Sequence, residues 1–377
     1  MARSRLLLGI SAVGMCVVGA VVVLALQLPT RLLSTATQRP VLEVATLTSL
    51  LLLLPAIALI PFELVGGAIL VRQRPTASQF FARWMRATFV QLVLWAVVAA
   101  TLATAARAGG AIGTILAFAL LQLVLASARA RIGSLVSRWV DRAPTEALRM
   151  AAVAAGLADR AVHVVETGDE AFVGGFGGIR ARRLWMPARW LALPAEQLTA
   201  LVARRVAIAN SGAHTRGVLL AALWNTVGVL APALLLGREL GTVAGLLTVS
   251  AWMTLWGFVS VLLLPTPSRW AVFSADAAAA RTVPIGSLCD AITQVDRWQD
   301  DEPARGRIIE TIFHPVPARD ERLRRVREGV ATRPLTWLAH NLARQALFLN
   351  WVGMSPLSRA VHCNVGRPAL FVMLPGD

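Results

Sequence analysis

The sequence predicts a mainly α-helical protein that crosses a membrane about six times and carries a small α+β domain on the cytoplasmic side. Three observations predict it. Of the 377 residues, 56% are hydrophobic, and the mean hydropathy is +0.63. Only 15% are charged, whereas soluble domains carry about a quarter. Apolar runs of about 20 residues, the length that crosses a bilayer, recur with arginines at their ends.

The formal net charge is +16, and the chain has no lysine. Arginines beside apolar runs are what membrane topology requires, so the excess is read as orientation and nucleic acid is not expected as a partner. Arginine in place of lysine, with abundant alanine, points to a bacterial source. Cys16, Cys289 and Cys363 form no CxxC pair, and the five histidines (His163, His214, His314, His340, His362) are scattered. Neither a disulfide framework nor a thiolate metal site follows.

The first span is expected over Leu6–Leu28, behind Arg3 and Arg5, as a retained anchor. The second lies within Val44–Val71 and contains Pro55, Pro61 and Glu63, which predict a kinked helix with an interfacial carboxylate. The third and fourth, Ala87–Ala106 and Ala111–Ala128, form a hairpin turning at Arg107–Gly110. The fifth and sixth, Gly217–Leu236 and Leu240–Leu264, form another. Arginines 3 and 5, then 72, 74, 83 and 86, then 129, 131, 138 and 142 fall on one face, which the positive-inside rule makes cytoplasmic. The opposite face is charge-poor apart from the loop with Arg31 and Arg39.

The expected organisation is therefore four spans over 1–128, a first soluble segment over 129–216, a membrane hairpin over 217–265, a second soluble segment over 266–330 and a tail over 331–377. In the first soluble segment, Pro144–Leu157 has helical apolar spacing with Gly156 as its stop. Short strands broken by glycine-rich turns follow, with Gly174–Gly178 as a flexible tip. A helix then opens at Pro194-Ala195-Glu196 and carries Leu198, Leu201, Val202 and Ile208 on one stripe. In the tail, Leu335, Leu338, Leu342, Ala346 and Leu349 share a helical face. That helix either lies at the membrane interface, as Trp337 and Trp351 near its ends allow, or packs as core.

A membrane hairpin, a helix, strands containing Ala171-Phe172, a helix opened by Leu193-Pro194-Ala195-Glu196-Gln197-Leu198 and a second membrane hairpin follow one another in that order. The order resembles the HtpX and CAAX-prenyl-endopeptidase family of membrane zinc metalloproteases, over roughly residues 129–330. In that family the helix after the strands carries HExxH, two histidines at i and i+4 that bind zinc and a glutamate that serves as general base. The matching positions here are Arg204, Arg205, Val206, Ala207 and Ile208. Ser268–Ala280 matches the family's ExxxD segment with Asp276 retained, but Val272 stands at the third-ligand position. A further landmark, the HP segment, appears at His314-Pro315.

Two guanidiniums and an isoleucine offer a dication no ligand. The resemblance therefore implies a degenerate member, a pseudoprotease without zinc or peptidase activity. It would act by binding or regulating a membrane protein in the bacterial inner membrane, with membrane lipid as its other partner. Where the metal would sit, the cavity is either open or filled by Arg204 and Arg205 paired with Asp276 or another carboxylate. The family's substrate-pairing edge strand matches Asp169, Glu170, Ala171, Phe172 and Val173, with Ile179–Met186 beside it. Two alternatives are an active metalloendopeptidase with an unorthodox site, drawing on His214 or His314, and a small membrane transporter. No nucleophile elbow or phosphate loop is present.

Overall fold

The computed structural model describes residues 2–33, 39–70, 75–157, 162–167, 172–299 and 302–363. They fall into two compact units. One holds the residues up to Leu125, Ala222–Ser260 and those from Ala346 on, and the other holds Ala126–Ala221 and Val261–Gln345. The described part of residues 331–377 thus divides between the two.

Five helical stretches are long and apolar enough to cross a membrane: Ser4–Ala25, Val41–Ala58, Ala77–Ser137, Ala213–Gly241 and Val243–Leu263. The first forms α1 (Ala2–Ala25), and α2 (Leu28–Leu32) follows it. The second is broken, as its prolines predict, into α3 (Val41–Leu51), α4 (Leu53–Ala58) and α5 (Ile60–Leu64), and a π-helical turn over Val65–Ile69 continues it. The third, α6 (Ala77–Ser137), runs 61 residues but loses helical geometry at Gly110 (φ 56°, ψ −137°). A straight helix of that length would extend about 90 Å. Here the two arms come close enough that a Cβ on Gly113 would lie 2.5 Å from the Ala105 carbonyl oxygen. The turn expected at Arg107–Gly110 is therefore present.

Helices α9 (Ala213–Leu236) and α10 (Val243–Leu263) meet through a 3-10 turn over Gly237–Gly241. Their tryptophans pack as apolar bodies with satisfied N–H groups. Trp224 and Trp256 lie 4.8 Å apart, Trp252 Nε1 donates to the Gly228 carbonyl at 2.9 Å, and Trp256 Nε1 donates to the Trp224 carbonyl at 3.1 Å.

The second unit carries a four-stranded sheet ordered β1 (Val140–Arg142), β2 (Val162–Glu166), β4 (Arg183–Pro187), β3 (Gly175–Gly177). Strands β2 and β4 are parallel, and the outer two pair antiparallel. Against the sheet stands α7 (Glu146–Ala154), capped by the Thr145 side chain, which accepts from Leu148 N. It ends at Gly156 (φ 80°) as expected. Helix α8 (Ala195–Asn210) packs between α7, α11 (Pro265–Ala279) and α12 (Ile285–Gln299), and α14 (Arg319–Glu328) packs on α11 and α12.

Two expectations are corrected and one open alternative is decided. The glycine run is not a flexible tip: Gly175–Gly177 is the buried strand β3. The Trp185 ring lies against Gly177 and its carbonyl against Gly174, where any Cβ would collide. Glu63 is not interfacial but buried within its unit. In the C-terminal segment, α15 (Leu342–Leu349) turns its stripe, Leu342, Ala346 and Leu349, into protein.

Gly174 has φ 74° and no room for a side chain, so Gly174→Ala is expected to cost about 3 kcal/mol from backbone strain and overpacking. Gly286 is helical and faces open space, so Gly286→Ala should be neutral or up to about 1 kcal/mol stabilising. Thermal unfolding of the two variants in detergent checks the order.

Candidate functional site

The residues singled out by their place in the helix after the strands do come together, inside the second unit. Helix α8 starts behind Pro194, whose extended ψ turns the chain, and Glu196 in its first turn accepts from Ser287 Oγ at 2.8 Å. Its inward face carries Leu198, Leu201, Val202, Arg204, Arg205 and Ile208. Helix α11 begins with Pro265 at its first position and buries Val272 and Asp276, one turn apart.

Asp276 is 1% exposed, Arg204 3% and Arg322 5%. Arg204 Nε donates to Asp276 Oδ1 at 2.5 Å, and Arg322 closes a two-pronged pair, Nε to Oδ2 and Nη2 to Oδ1, each at 2.8 Å. A single carboxylate thus takes hydrogen bonds from two guanidiniums, the charge-assisted geometry that is strongest away from water. Arg205 is directed differently: its Nη2 donates to the Val173 carbonyl at 3.3 Å, and its guanidinium lies 5.9 Å from the Trp190 ring. Arg204 is thus paired with Asp276, whereas Arg205 donates to a backbone oxygen. Val272 and Ile208 are fully buried apolar contacts.

Burial pushes the Asp276 carboxyl up, but the Arg322 and Arg204 guanidiniums outweigh it and hold it below its ordinary value. Burial lowers Arg204 to about 10, with Asp276 pulling it back up and Arg322 pushing it down, so it stays protonated at neutral pH. Burial and then the neighbouring Arg204 lower Arg205 further. A general base works best with a pKa near the working pH. A carboxylate held low, with both oxygens engaged, fails that requirement. Zinc fares no better here, because two guanidiniums, an isoleucine and a valine give it no donor set.

The remaining expected residues lie elsewhere. His314 follows α13 (Arg307–Phe313) as its half-buried cap residue, its N–H bonded to the Glu310 carbonyl at 3.2 Å, and Pro315 comes next. Asp169, Glu170 and Ala171 lie outside the described residues. Phe172 and Val173 are buried and not in a strand. Their carbonyls accept from Arg189 and Arg205. The edges of the described sheet are β1 and β3.

His214 and His340 were not expected at the core. His214 is buried, with Nε2 2.9 Å from the Gly178 carbonyl and its ring against Phe176. His340 is fully buried, and its N–H donates to the Ala213 carbonyl at 3.0 Å. Burial, and then the charge on Arg204, hold His340 well below its ordinary value. Arg322 also escaped the sequence reading. Its signal was available: Arg322, Leu323 and Val326 form the single inward stripe of an otherwise charged helix.

In the first unit a second buried ion pair neutralises Glu63. Arg359 of α16 (Leu357–Cys363) bonds its two oxygens at 2.8 and 2.9 Å and donates also to Thr88 and Gln91, while Trp84 Nε1 donates to Glu63 at 2.5 Å.

Compared with models of known protein families and with curated proteins, the chain matches none.

Two outcomes are expected of this site. Asp276→Ala leaves Arg204 and Arg322 buried without their carboxylate and should lose about 3–5 kcal/mol, whereas Arg204→Met with Asp276→Leu and Arg322→Met should recover most of it. Unfolding of the three proteins in detergent tests this, and an Asp276→Ala protein as stable as wild type would contradict it. The second concerns pH. His340 has a folded pKa below its unfolded value of 6.5, so its contribution is complete above pH 6.5. It is lost as the pH falls from there towards the folded value, at up to about 1.4 kcal/mol per pH unit. His340→Asn should flatten the melting temperature between pH 6.5 and 5. Asp276, held below its ordinary 3.8, adds loss only in stronger acid.

Proposed function

We propose that this chain is a membrane-embedded pseudoprotease: a scaffold resembling the HtpX and CAAX-prenyl-endopeptidase metalloproteases that acts by binding or regulating another membrane protein and does not cut it. In this reading the chain spans a bacterial inner membrane six times. The break at Gly110 divides α6 into two spans, and the arginine-rich ends place both soluble segments in the cytoplasm. The observation that carries the reading is the Arg204–Asp276–Arg322 cluster. Its Arg204 stands where the resemblance would put the first zinc ligand, beside Arg205 at the general-base position, and the cluster supplies buried, paired charge. A scaffold that keeps its helices and spends its reactive positions on an ion pair is suited to holding a partner.

The same cluster argues against an unorthodox peptidase, since Asp276 has neither a free oxygen nor a useful pKa. Metal analysis of detergent-purified protein, before and after chelation, is the first test. Zinc below about a tenth of an equivalent is expected, against near-stoichiometric metal in a true catalytic site. Stoichiometric, chelatable zinc that disappears on mutating His214 or His340 would overturn the reading. Crosslinking in native membranes should recover an intact membrane protein as the neighbour. A shortened product accumulating on overexpression would have the same overturning force.

A further inference from the structure

The first unit contains a groove of about 510 Å³ between α1, α2, α4 and α10. Cys16 and Gly19 line it from α1, Leu32 from α2 and Pro55 from α4, with Ser250 and Thr254 from α10. Those two hydroxyls are the polar side-chain groups of α10 at the lining, and both are spent internally. Ser250 Oγ donates to the Met354 carbonyl at 2.9 Å, and Thr254 Oγ1 donates to the Ser250 carbonyl at 2.8 Å. Nothing there rewards water, and a volume of this size lies within the range of small-ligand sites. Beside the groove α1 exposes Val18, Val21 and Val22, on a helix apolar enough to cross a membrane. In the membrane-spanning reading proposed above, the medium at its opening is hydrocarbon.

Hydrocarbon alone gives no selectivity, because lipid tails are as apolar as the lining. Charge at one end does. Helix α2, whose Leu28 and Leu32 line the groove, carries exposed Arg31 within one turn of both. The other arginine of that loop, Arg39, is matched by Glu43 at 2.6 Å. Arg31 has no carboxylate partner among the described residues. In the topology proposed above, this loop lies on the face where the positive-inside rule disfavours arginine, and an anionic headgroup would account for it.

We propose that the groove holds one acyl chain of an anionic phospholipid, whose phosphate sits on Arg31. Gly19 makes this testable, because a Cβ there meets nothing within 4 Å and a larger side chain at that position enters the groove. The full chain, purified in detergent, is titrated with phosphatidylglycerol and with phosphatidylcholine of the same acyl chains and read by native mass spectrometry. Wild type should bind one phosphatidylglycerol about fivefold more tightly than phosphatidylcholine, the preference one arginine near an anionic headgroup supplies. Arg31→Gln should equalise the two lipids, and Gly19→Phe should reduce binding of both at least tenfold. Equal binding of the two lipids by wild type, a preference that survives Arg31→Gln, or unchanged binding by Gly19→Phe would each overturn the proposal. Should Gly19→Phe fail to fold, wild type is photolysed with phosphatidylglycerol carrying a diazirine in its acyl chain. Adducts within residues 15–33 or 51–58 support the site, and adducts confined to other segments refute it.

Discussion

A buried guanidinium must find an acceptor before the helix that carries it can pack. The chain has no lysine, so its basic side chains all have the rigid, five-donor fork of arginine, which keeps its charge in the interior. Taking such a group out of water costs several kcal/mol, and a well-formed carboxylate partner offsets that cost. In each unit a buried carboxylate meets the constraint for some of these groups, while Arg205 uses the Val173 carbonyl and Arg129 the Gln345 side chain. Asp276 serves Arg204 and Arg322 in the second, and Glu63 serves Arg359 in the first.

Each pair also closes a long stretch of sequence. In the second unit Asp276 ties together α8, α11 and α14, helices that otherwise meet largely through apolar side chains. Nonpolar burial holds such helices together but leaves their rotation loosely specified, while a bidentate ion pair admits one register. In the first unit Arg359 reaches Glu63, Thr88 and Gln91, fixing the last helix against a span already broken at its prolines. The π-helical turn just after Glu63 is a costly local geometry of the kind found where a side chain has to be aimed.

Helices were the legible part of this sequence. Apolar runs, the prolines of the second span, the glycine turn at Gly110 and the stop at Gly156 have local causes, so a local reading reaches them. Interactions made across long separations were less so. Glu63 looked like a lone interfacial acid because its partner lies 296 residues away, in a short helix that no periodicity announces. The glycine run read as a loose tip because glycine is loop-like in isolation. Only the Trp185 ring packed on Gly177 explains why a strand there excludes side chains. Arg204 and Asp276 were found through the order of elements, whereas Arg322 needed a three-dimensional fact, that α14 faces the same point.

The arginines also make this site hard to turn into a metal centre. Under the proposed resemblance, histidines at the positions of Arg204 and Ile208 and a carboxylate at Val272 would surround a dication, whose charge offsets theirs. Installing those residues here would leave Arg322 still bonded to Asp276 and would bury a new carboxylate with no metal to balance it during folding. Replacing Arg205 would remove the donor that holds the Val173 carbonyl beside β3, exposing a backbone acceptor the fold now satisfies. An intermediate that gains the carboxylate before any metal carries an unmatched buried charge, a penalty of several kcal/mol in a protein whose total stability is of the same order. The ion-pair cluster is for that reason costly to exchange for a metal centre one residue at a time.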